Sequence, residues 1–514
     1  MPLARETPAV APSTGATATS GATGFVSALT LTDAAMLVAG SMIGSGIFIV
    51  SADMARQVQS PFWLLMAWLL TGVITMLGAL SIAELAAMFP RAGGQYVFLR
   101  EALGPLTGFL FGWTQFVVIS AGTLAAVAVA FGRFLGVLWP AITPERYGWF
   151  PQADICIALL GCKDPSAAIQ LGLTPQRLVA LVSIWILAWI NLRGVREGKV
   201  VQTILTAAKA LGLVMLVVLG IVVGRNADAI TANFTNGAFF GTVDVGGAFV
   251  LAFGAALVGS LFSSDAWINV TFAASEVRDP ARNLPRALLL GTGMVTALYL
   301  LCNVAYLLVL PMQGTPDGAS VLARGIAHAT QDRVGVAAAE MVLGASAGTV
   351  MAVLILISTF GCNNGLILAY ARLFYAMARD GLFFAKAGTL NANGVPGFAL
   401  VTCVAWASVL CLTGTYGQLL DYVIFAQLLF YALTTIGLFV LRATRPSVPR
   451  PYRALGYPMV PALYVAACVG VAVILLIVDK TRAQAVSGLV LVLLGVPVYL
   501  LTRGGRAAAS SATA

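Results

Sequence analysis

Apolar runs of about twenty residues recur along the whole chain, and they constrain its fold more than any other feature. A helix that crosses the hydrocarbon core of a bilayer needs roughly 20 apolar residues. Of the 514 residues, 60% are hydrophobic and 10% are charged, and a soluble domain could not bury that much apolar surface. The pattern therefore predicts an all-α, polytopic membrane protein.

The number and flanks of these runs predict the topology. An even number of spans places both termini on one side, and most lysines and arginines fall in the loops on that side, which indicates cytoplasmic termini in a cell (inner) membrane. Scattered at the ends of apolar runs, the basic residues do not form a nucleic-acid face. The runs number twelve and lie at about 32–55, 61–89, 104–138, 176–192, 199–224, 247–272, 286–310, 335–361, 396–414, 418–441, 457–478 and 483–502.

The regions outside the runs complete the predicted domain organisation. Small and polar residues dominate 1–28 and 504–514, which we expect to be disordered cytoplasmic tails. Residues 29–454 then form a ten-helix core, and 455–503 form two further helices. The loop near 139–175 carries Cys156 and Cys162, which an oxidising exterior could join; two free thiols are the alternative.

The first run is interrupted by small residues. Three glycines and two serines occupy the seven positions of Gly40-Ser41-Met42-Ile43-Gly44-Ser45-Gly46. Glycine costs roughly 1 kcal/mol against alanine in a helix interior, and unwound backbone is tolerated at this depth only where it lines a cavity or is buried in protein. Exposed amides at the start of the second half-helix would attract an anion. Close helix packing through small residues is the alternative.

A second interruption lies in the sixth run, at Leu261-Phe262-Ser263-Ser264-Asp265-Ala266-Trp267. A carboxylate at mid-membrane is costly unless it is satisfied internally or faces water. Breaks five spans apart are what an inverted repeat produces, with the substrate held between them. The repeats would cover about 31–224 and 247–441.

Ordered motifs give the chain a family resemblance. Ile43-Gly44-Ser45-Gly46-Ile47-Phe48 resembles the first-helix signature of the amino acid–polyamine–organocation (APC) superfamily, and Thr206-Ala207-Ala208-Lys209 resembles the fifth helix of its L-type amino acid transporter (LAT) subgroup. The resemblance runs from about Leu31 to Arg453. It implies a prokaryotic LAT-like protein with a leucine-transporter-like fold of 12 transmembrane helices. Further matches lie at Glu84-Leu85, Pro90-Arg91-Ala92-Gly93-Gly94-Gln95-Tyr96, Glu276, Pro280, Asn283-Leu284-Pro285 and Phe360-Gly361-Cys362-Asn363-Asn364-Gly365.

The resemblance also implies how an amino acid is held. Its carboxylate would meet the first-helix amides, its ammonium would meet free backbone carbonyls, and an aromatic residue would close over it. Gln427 enters through an ungapped match to the tenth helix. The implied substrate-binding residues are Met42 (carbonyl), Ile43, Gly44, Ser45, Gly46, Phe262 (carbonyl and gating ring), Ser263, Asp265 (carbonyl) and Gln427.

Lys209 is the most informative single residue of the predicted site. A lysine at a helix centre costs on the order of 3 kcal/mol, so we expect it to have a partner. The resemblance implies that its ammonium replaces a sodium ion, bonding carbonyls near Ile43 and Gly44 and polar groups of the eighth helix. Transport would then be independent of sodium. A structural ion pair with Asp265 is the alternative.

Asp265 has two compatible interpretations. It could cap the second half of the sixth helix, an ordinary use of Asp, or it could line the pocket and attract a cationic substrate side chain. Many L-type sequences carry Gly at this position. Selectivity for large neutral amino acids is therefore open at this residue.

These observations predict a sodium-independent amino acid exchanger or facilitator that works by alternating access and favours neutral L-amino acids. The alternatives are cationic or broad-specificity transport, proton-coupled import, and a non-transporting sensor. No nucleophile–base pair, phosphate loop or metal cluster is recognisable, so we expect no enzyme activity, no cofactor, no metal and no nucleic-acid partner. Because Cys156 and Cys162 can bond each other, we expect no obligatory partner subunit.

Overall fold

The computed structural model describes residues 29–145, 147, 150–155, 169–235, 237–241, 246–413 and 416–512, and most of these residues are helical. Cys156, Cys162 and the tail 1–28 lie outside this part of the chain. Its α-helices, numbered in chain order, are α1 (Leu31–Met42), α2 (Val50–Val58), α3 (Pro61–Met88), α4 (Gln95–Leu103), α5 (Pro105–Thr114), α6 (Ser120–Leu138), α7 (Pro175–Arg193), α8 (Val195–Val222), α9 (Ala227–Phe234), α10 (Gly247–Ser263), α11 (Pro280–Val309), α12 (Val321–Arg324), α13 (Val334–Leu343), α14 (Ala345–Arg379), α15 (Gly397–Thr413), α16 (Tyr416–Thr444), α17 (Met459–Ile477) and α18 (Asp479–Ala512).

Shorter elements join or interrupt these helices. One π-helical turn, Gln115–Ile119, connects α5 to α6 without a break in the helix axis. Two short strands, β1 (Ala153–Ile155) and β2 (Ile169–Leu171), pair antiparallel and add a small sheet to an otherwise helical protein. The 3-10 helices are Gly46–Phe48, Trp267–Glu276, Thr330–Asp332 and Ala385–Gly388.

Ten helices of the described residues are long and apolar enough to cross a membrane. Shorter apolar helices, Leu31–Met42 and Gly397–Thr413, fall on the other two predicted runs, near 32–55 and 396–414. The prediction of a polytopic helical membrane protein is confirmed. α18 continues to Ala512, so the tail predicted from 504 begins inside a helix.

The first predicted break is a real interruption of the helix. Thr30 caps α1 through a capping box with Asp33, in which the Asp33 amide donates to the Thr30 hydroxyl over 3.3 Å. The helix ends at Met42, and one 3-10 turn, Gly46–Phe48, leads into α2. The glycine-rich segment therefore lies between two half-helices, as its composition predicts.

The second break has the same design with different residues. α10 ends at Ser263, and a 3-10 helix, Trp267–Glu276, follows instead of the α-helix expected there. Ala266 joins them with φ +66°, a left-handed conformation that costs energy for a residue with a side chain. The strain is localised at the point where the helix direction must change.

One end of the bundle is closed by buried contacts. Leu29, just before α1, pairs with the strand-like residues after the second break: its amide donates to the Glu276 carbonyl, and its carbonyl accepts from the Arg278 amide, both over 2.8 Å. The Glu276 carboxylate forms a buried ion pair with Arg372 of α14. Breaking a buried pair of this kind costs about 3–5 kcal/mol. This closure ties α1, the second break and α14 together.

The opposite end is closed by more exposed contacts. Arg56 of α2 donates to Asp332 over 2.8 Å, and Lys480 lies 3.1 Å from Asp53. These side chains are about one-third to three-fifths exposed, so each pair contributes little. The two ends of the bundle therefore differ in how firmly they are held.

Candidate substrate-binding site

The two breaks touch each other. A methyl group added at Gly46 would lie 2.1 Å from the Ser263 hydroxyl oxygen and 2.7 Å from its Cβ. A methyl group at Gly44 would lie 3.2 Å from the Cys362 sulfur of α14. Only glycine allows the backbone at position 46 to come this close to α10. The structure therefore brings together the predicted residues of the first and sixth runs.

Lys209 of α8 reaches the first break from the side. Its ammonium donates to the Ile43 carbonyl over 2.7 Å and to the Gly40 carbonyl, and the side chain is buried. The Ser358 hydroxyl of α14 lies 3.3 Å from the Ile43 carbonyl and 3.2 Å from the Gly44 carbonyl. Lys209 thus contacts Gly40 instead of Gly44, and the eighth run supplies Ser358.

The alternative for Lys209 was an ion pair with Asp265. Among the described ion pairs, none joins these two side chains. Asp265 instead accepts from the Tyr431 hydroxyl of α16 over 2.6 Å. The N-cap of the following 3-10 helix is Ala266, and the Asp265 carboxylate accepts a hydrogen bond from the Ala266 amide.

Tyr299 of α11 joins the two breaks and was missed by the sequence reasoning. Its hydroxyl lies 3.0 Å from the Met42 carbonyl and 3.2 Å from the Ser263 carbonyl. These residues end α1 and α10, so their carbonyls have lost their intrahelical donors. The Tyr306 hydroxyl similarly lies 3.3 Å from the Ile47 carbonyl. Two tyrosines seven residues apart lie on one helical face, but this spacing does not identify their partners.

Gln427 of α16 lies on the wall of a small cavity with Asp265. The cavity has a volume of about 20 Å³ and is also lined by Thr75, Tyr431 and Tyr464. Gln427 accepts a hydrogen bond from the Gln115 side chain over 3.3 Å. The structure therefore brings Gln427 and Asp265 to the same cavity.

The remaining predicted residues are buried at the breaks. Ser45 precedes the 3-10 turn of the first break, and its carbonyl accepts from the Phe48 amide over 3.1 Å. Phe262 is buried, and its carbonyl accepts from the Asp265 amide over 3.1 Å. The Phe262 carbonyl, predicted to hold a substrate ammonium, is therefore engaged within its own segment. Within the part of the chain described, no group of three or more His, Cys, Asp or Glu side chains could hold a metal ion.

Comparison with known proteins identifies the family of this protein. The family model described as amino acid permease matches residues 29–500. The chain belongs to the amino acid permease family. This permease is 32% identical over 479 residues to the large neutral amino acids transporter small subunit 2 of Mus musculus, covering 92% of this chain and 80% of that one. It is 30% identical over 419 residues to the b(0,+)-type amino acid transporter 1 of Mus musculus, covering 81% and 76%.

These comparisons confirm the predicted membership of the APC superfamily. They also confirm the prediction that the protein is a multi-pass membrane transporter of amino acids. They also support sodium-independent transport or exchange with neutral amino acids favoured. The matched relatives named here are mammalian transporters, so the prokaryotic assignment stays a prediction.

One prediction is wrong. We expected no obligatory partner subunit, but a relative that matches 92% of the permease is named as the small subunit of its transporter. The expectation rested on a bond between Cys156 and Cys162, which lie outside the described residues. A cysteine pair in a loop was too weak a basis to exclude a second subunit.

Proposed function

We propose that this permease carries neutral L-amino acids without sodium, by exchange or facilitated flux, between two states in which the broken helices rock about a fixed site. The observation that carries the proposal is the contact between the two breaks, with the Lys209 ammonium on the carbonyls of the first. Unwound backbone at membrane depth, paired in two helices, is how transporters of this architecture bind substrate.

The charges of an amino acid match the ends of the half-helices. Amides that follow Ile43 lie at the start of the second half-helix, where the positive end of the dipole favours a carboxylate. The carbonyls of Met42 and Ser263 end α1 and α10, where the negative ends favour an ammonium. Separation of the two breaks would open the space between Gly46 and Ser263 for the substrate.

The inverted repeat is also part of the proposal. The breaks in the first and sixth runs support a leucine-transporter-like arrangement of two five-helix repeats plus two helices, with 12 spans and cytoplasmic termini. The motif ending in Lys209 supports assignment to the L-type subgroup. The closure formed by Leu29, Glu276 and Arg372 would then be on the cytoplasmic side and would open for substrate release.

Sodium independence is attributed to Lys209. A sodium ion between the first and eighth helices would need oxygen ligands, and the Ile43 carbonyl and the Ser358 hydroxyl are already engaged. The ammonium supplies a fixed positive charge at that point. This fixed positive charge disfavours a sodium ion at the same point.

Cationic substrates are the second candidate class, and Asp265 is the observation that favours them. Its carboxylate lines the cavity that also holds Gln427 and so could pair with a cationic side chain. The Tyr431 hydroxyl already donates a hydrogen bond to this carboxylate. The carboxylate is therefore partly satisfied and favours a cationic partner less strongly. We therefore place neutral substrates first.

A competition assay in proteoliposomes tests the proposal. Uptake of labelled leucine would be measured in the presence of each common unlabelled amino acid. We expect inhibition by neutral L-amino acids, weaker inhibition by lysine and arginine, and none by aspartate or glutamate. Saturable leucine binding without flux would instead identify a sensor, and flux that follows an imposed pH gradient would identify a proton-coupled importer.

A further inference from the structure

A chain of polar side chains connects the π-helical turn of the third predicted span to the carboxylate at the second break. The Ser120 hydroxyl donates to the Gln115 side-chain oxygen over 2.8 Å, and the Gln115 amide nitrogen donates to the Gln427 oxygen over 3.3 Å. The Gln427 amide interacts with the Tyr431 hydroxyl, which donates to Asp265 over 2.6 Å. π-helical turns inside α-helices are frequent at functional sites.

The chemistry at the end of this chain fixes its direction. An ionised carboxylate only accepts hydrogen bonds, so the Tyr431 hydroxyl must donate its single proton to Asp265. The Tyr431 oxygen then faces a donor, which places the Gln427 nitrogen toward it, directly or through a water for which the cavity has room. The Gln427 oxygen is left to face the Gln115 nitrogen, as observed. Every donor in the chain therefore points toward Asp265.

This direction matters for the substrate. Because donors from protein groups satisfy the Asp265 carboxylate, an apolar side chain can lie beside it without leaving a buried charge unpaired. With fewer donors, the same carboxylate would favour a cationic side chain and disfavour a neutral one. Hydrogen bonds in such a chain also strengthen one another, so a change at its far end is felt at the carboxylate.

We propose that Gln115, acting through Gln427 and Tyr431, holds the donors around Asp265 in place and thereby sets the preference of the permease between neutral and cationic amino acids. Gln115 is a positioning residue, because it reaches the substrate pocket only through Gln427. The inference rests on the proposed transport of amino acids and names the residue that tunes its selectivity.

The test compares leucine and lysine as ligands of purified full-length protein. The ratio of the two dissociation constants is measured for wild type, Tyr431→Phe, Gln115→Met and Ser120→Ala. We expect the ratio to move toward lysine by about tenfold for Tyr431→Phe, which bonds the carboxylate directly. The expected change is roughly threefold for Gln115→Met, which is separated from the carboxylate by Gln427 and Tyr431, and smallest for Ser120→Ala, which lies one bond further away. A purely structural role would weaken both ligands alike and leave the ratio unchanged.

Two controls make the result decisive. Thr114→Val changes a buried hydroxyl, bonded to the Leu110 carbonyl of its own helix, one residue before Gln115, and the ratio should stay at the wild-type value. In an Asp265→Asn background, Gln115→Met should produce no further shift in the ratio, because the carboxylate charge at the end of the hydrogen-bonded series is absent. A shift that persists in that background, or an unchanged ratio in Gln115→Met, overturns the inference.

The same samples separate this inference from the proposed function. Wild type that binds leucine but carries no flux in liposomes contradicts the transport proposal, while the binding ratios still decide the role of Gln115. Wild type that binds neither leucine nor lysine contradicts both.

Discussion

The two broken helices are stabilised in different ways. At the first break, backbone carbonyls accept from donors on three other helices: Lys209 from α8, Tyr299 from α11 and Ser358 from α14. At the second break, the Ser263 carbonyl shares the Tyr299 donor, and a side-chain carboxylate, Asp265, accepts from the Tyr431 hydroxyl. The first break therefore presents backbone carbonyls that are satisfied by donors from neighbouring helices. The second break contains a charged side chain of its own.

This difference suggests that the two breaks have different roles in substrate recognition. Backbone groups at the first break suit the carboxylate and ammonium that all amino acids share, so variation there would affect every substrate. Side chains around Asp265 differ in charge and hydrogen bonding, so variation there would affect some substrates more than others. Substitutions that change the donors or the contact of the first break test these roles.

Lys209→Ala should remove transport. It removes the cationic donor from the carbonyls of Gly40 and Ile43, and Ile43 keeps the Ser358 hydroxyl. A buried carbonyl left unsatisfied, as at Gly40, costs about 1–3 kcal/mol. We expect flux of all substrates to fall by roughly two orders of magnitude in liposomes. Lys480→Ala, at an exposed lysine paired with Asp53, is the matched control and should transport normally. Normal flux in Lys209→Ala would refute the role given to this ammonium.

Gly46→Ala should weaken substrate binding, because it disturbs the contact between the two breaks. The new methyl group would lie 2.1 Å from the Ser263 hydroxyl oxygen, so the half-helices must separate or the backbone must shift. We expect substrate affinity to fall at least about tenfold, measured by equilibrium binding. A second change, Ser263→Gly, removes the clashing side-chain atoms and should restore part of the affinity. An unaffected Gly46→Ala protein would show that the breaks do not meet at this position.

Tyr299→Phe should strengthen substrate binding and slow net uptake. Without the hydroxyl, the carbonyls of Met42 and Ser263 lose a donor in the empty protein, whereas a bound ammonium would supply one. We expect up to about tenfold higher affinity with a lower ratio of net uptake to exchange. Tyr306→Phe, which removes a similar buried hydroxyl from the Ile47 carbonyl, should leave affinity within about threefold of wild type. Equal effects of the two substitutions would argue against a special role for Tyr299.

Ser358→Ala should have the smallest effect. The Ile43 carbonyl keeps the Lys209 ammonium, so the loss is that of one neutral hydrogen bond, about 1 kcal/mol. We expect flux within about fivefold of wild type for leucine and lysine alike. A change in the leucine-to-lysine preference would place selectivity at the first break and contradict the separate roles proposed for the two breaks.

The sequence predicted the breaks because glycine and a buried carboxylate are unusual at membrane depth. It also indicated that Lys209 would need a partner, since a buried ammonium must be satisfied, and the family resemblance implied that carbonyls near Ile43 would supply it. It did not reveal Tyr299 or Gln115, because a tyrosine or glutamine in an apolar run has many possible neighbours. Their partners are set by the packing of distant helices.

Some details of the second break also lay beyond the sequence. A continuation as 3-10 helix after Ala266 depends on strain that only the surrounding packing can hold. The partner of Asp265 likewise required knowing that α16 packs against α10, which places Tyr431 beside it. Local patterns located the site, and tertiary contacts decided its chemistry.

Sodium dependence is the direct test of Lys209, because its ammonium lies where a cation would otherwise bind at the first break. Exchange of labelled leucine for internal leucine would be measured in proteoliposomes with sodium chloride inside and outside, and again with choline chloride. We expect equal rates in the two salts and no exchange in Lys209→Ala in either. Exchange that requires sodium, or a Lys209→Ala protein that exchanges leucine once sodium is present, would contradict the first prediction or redefine the site as a sodium site.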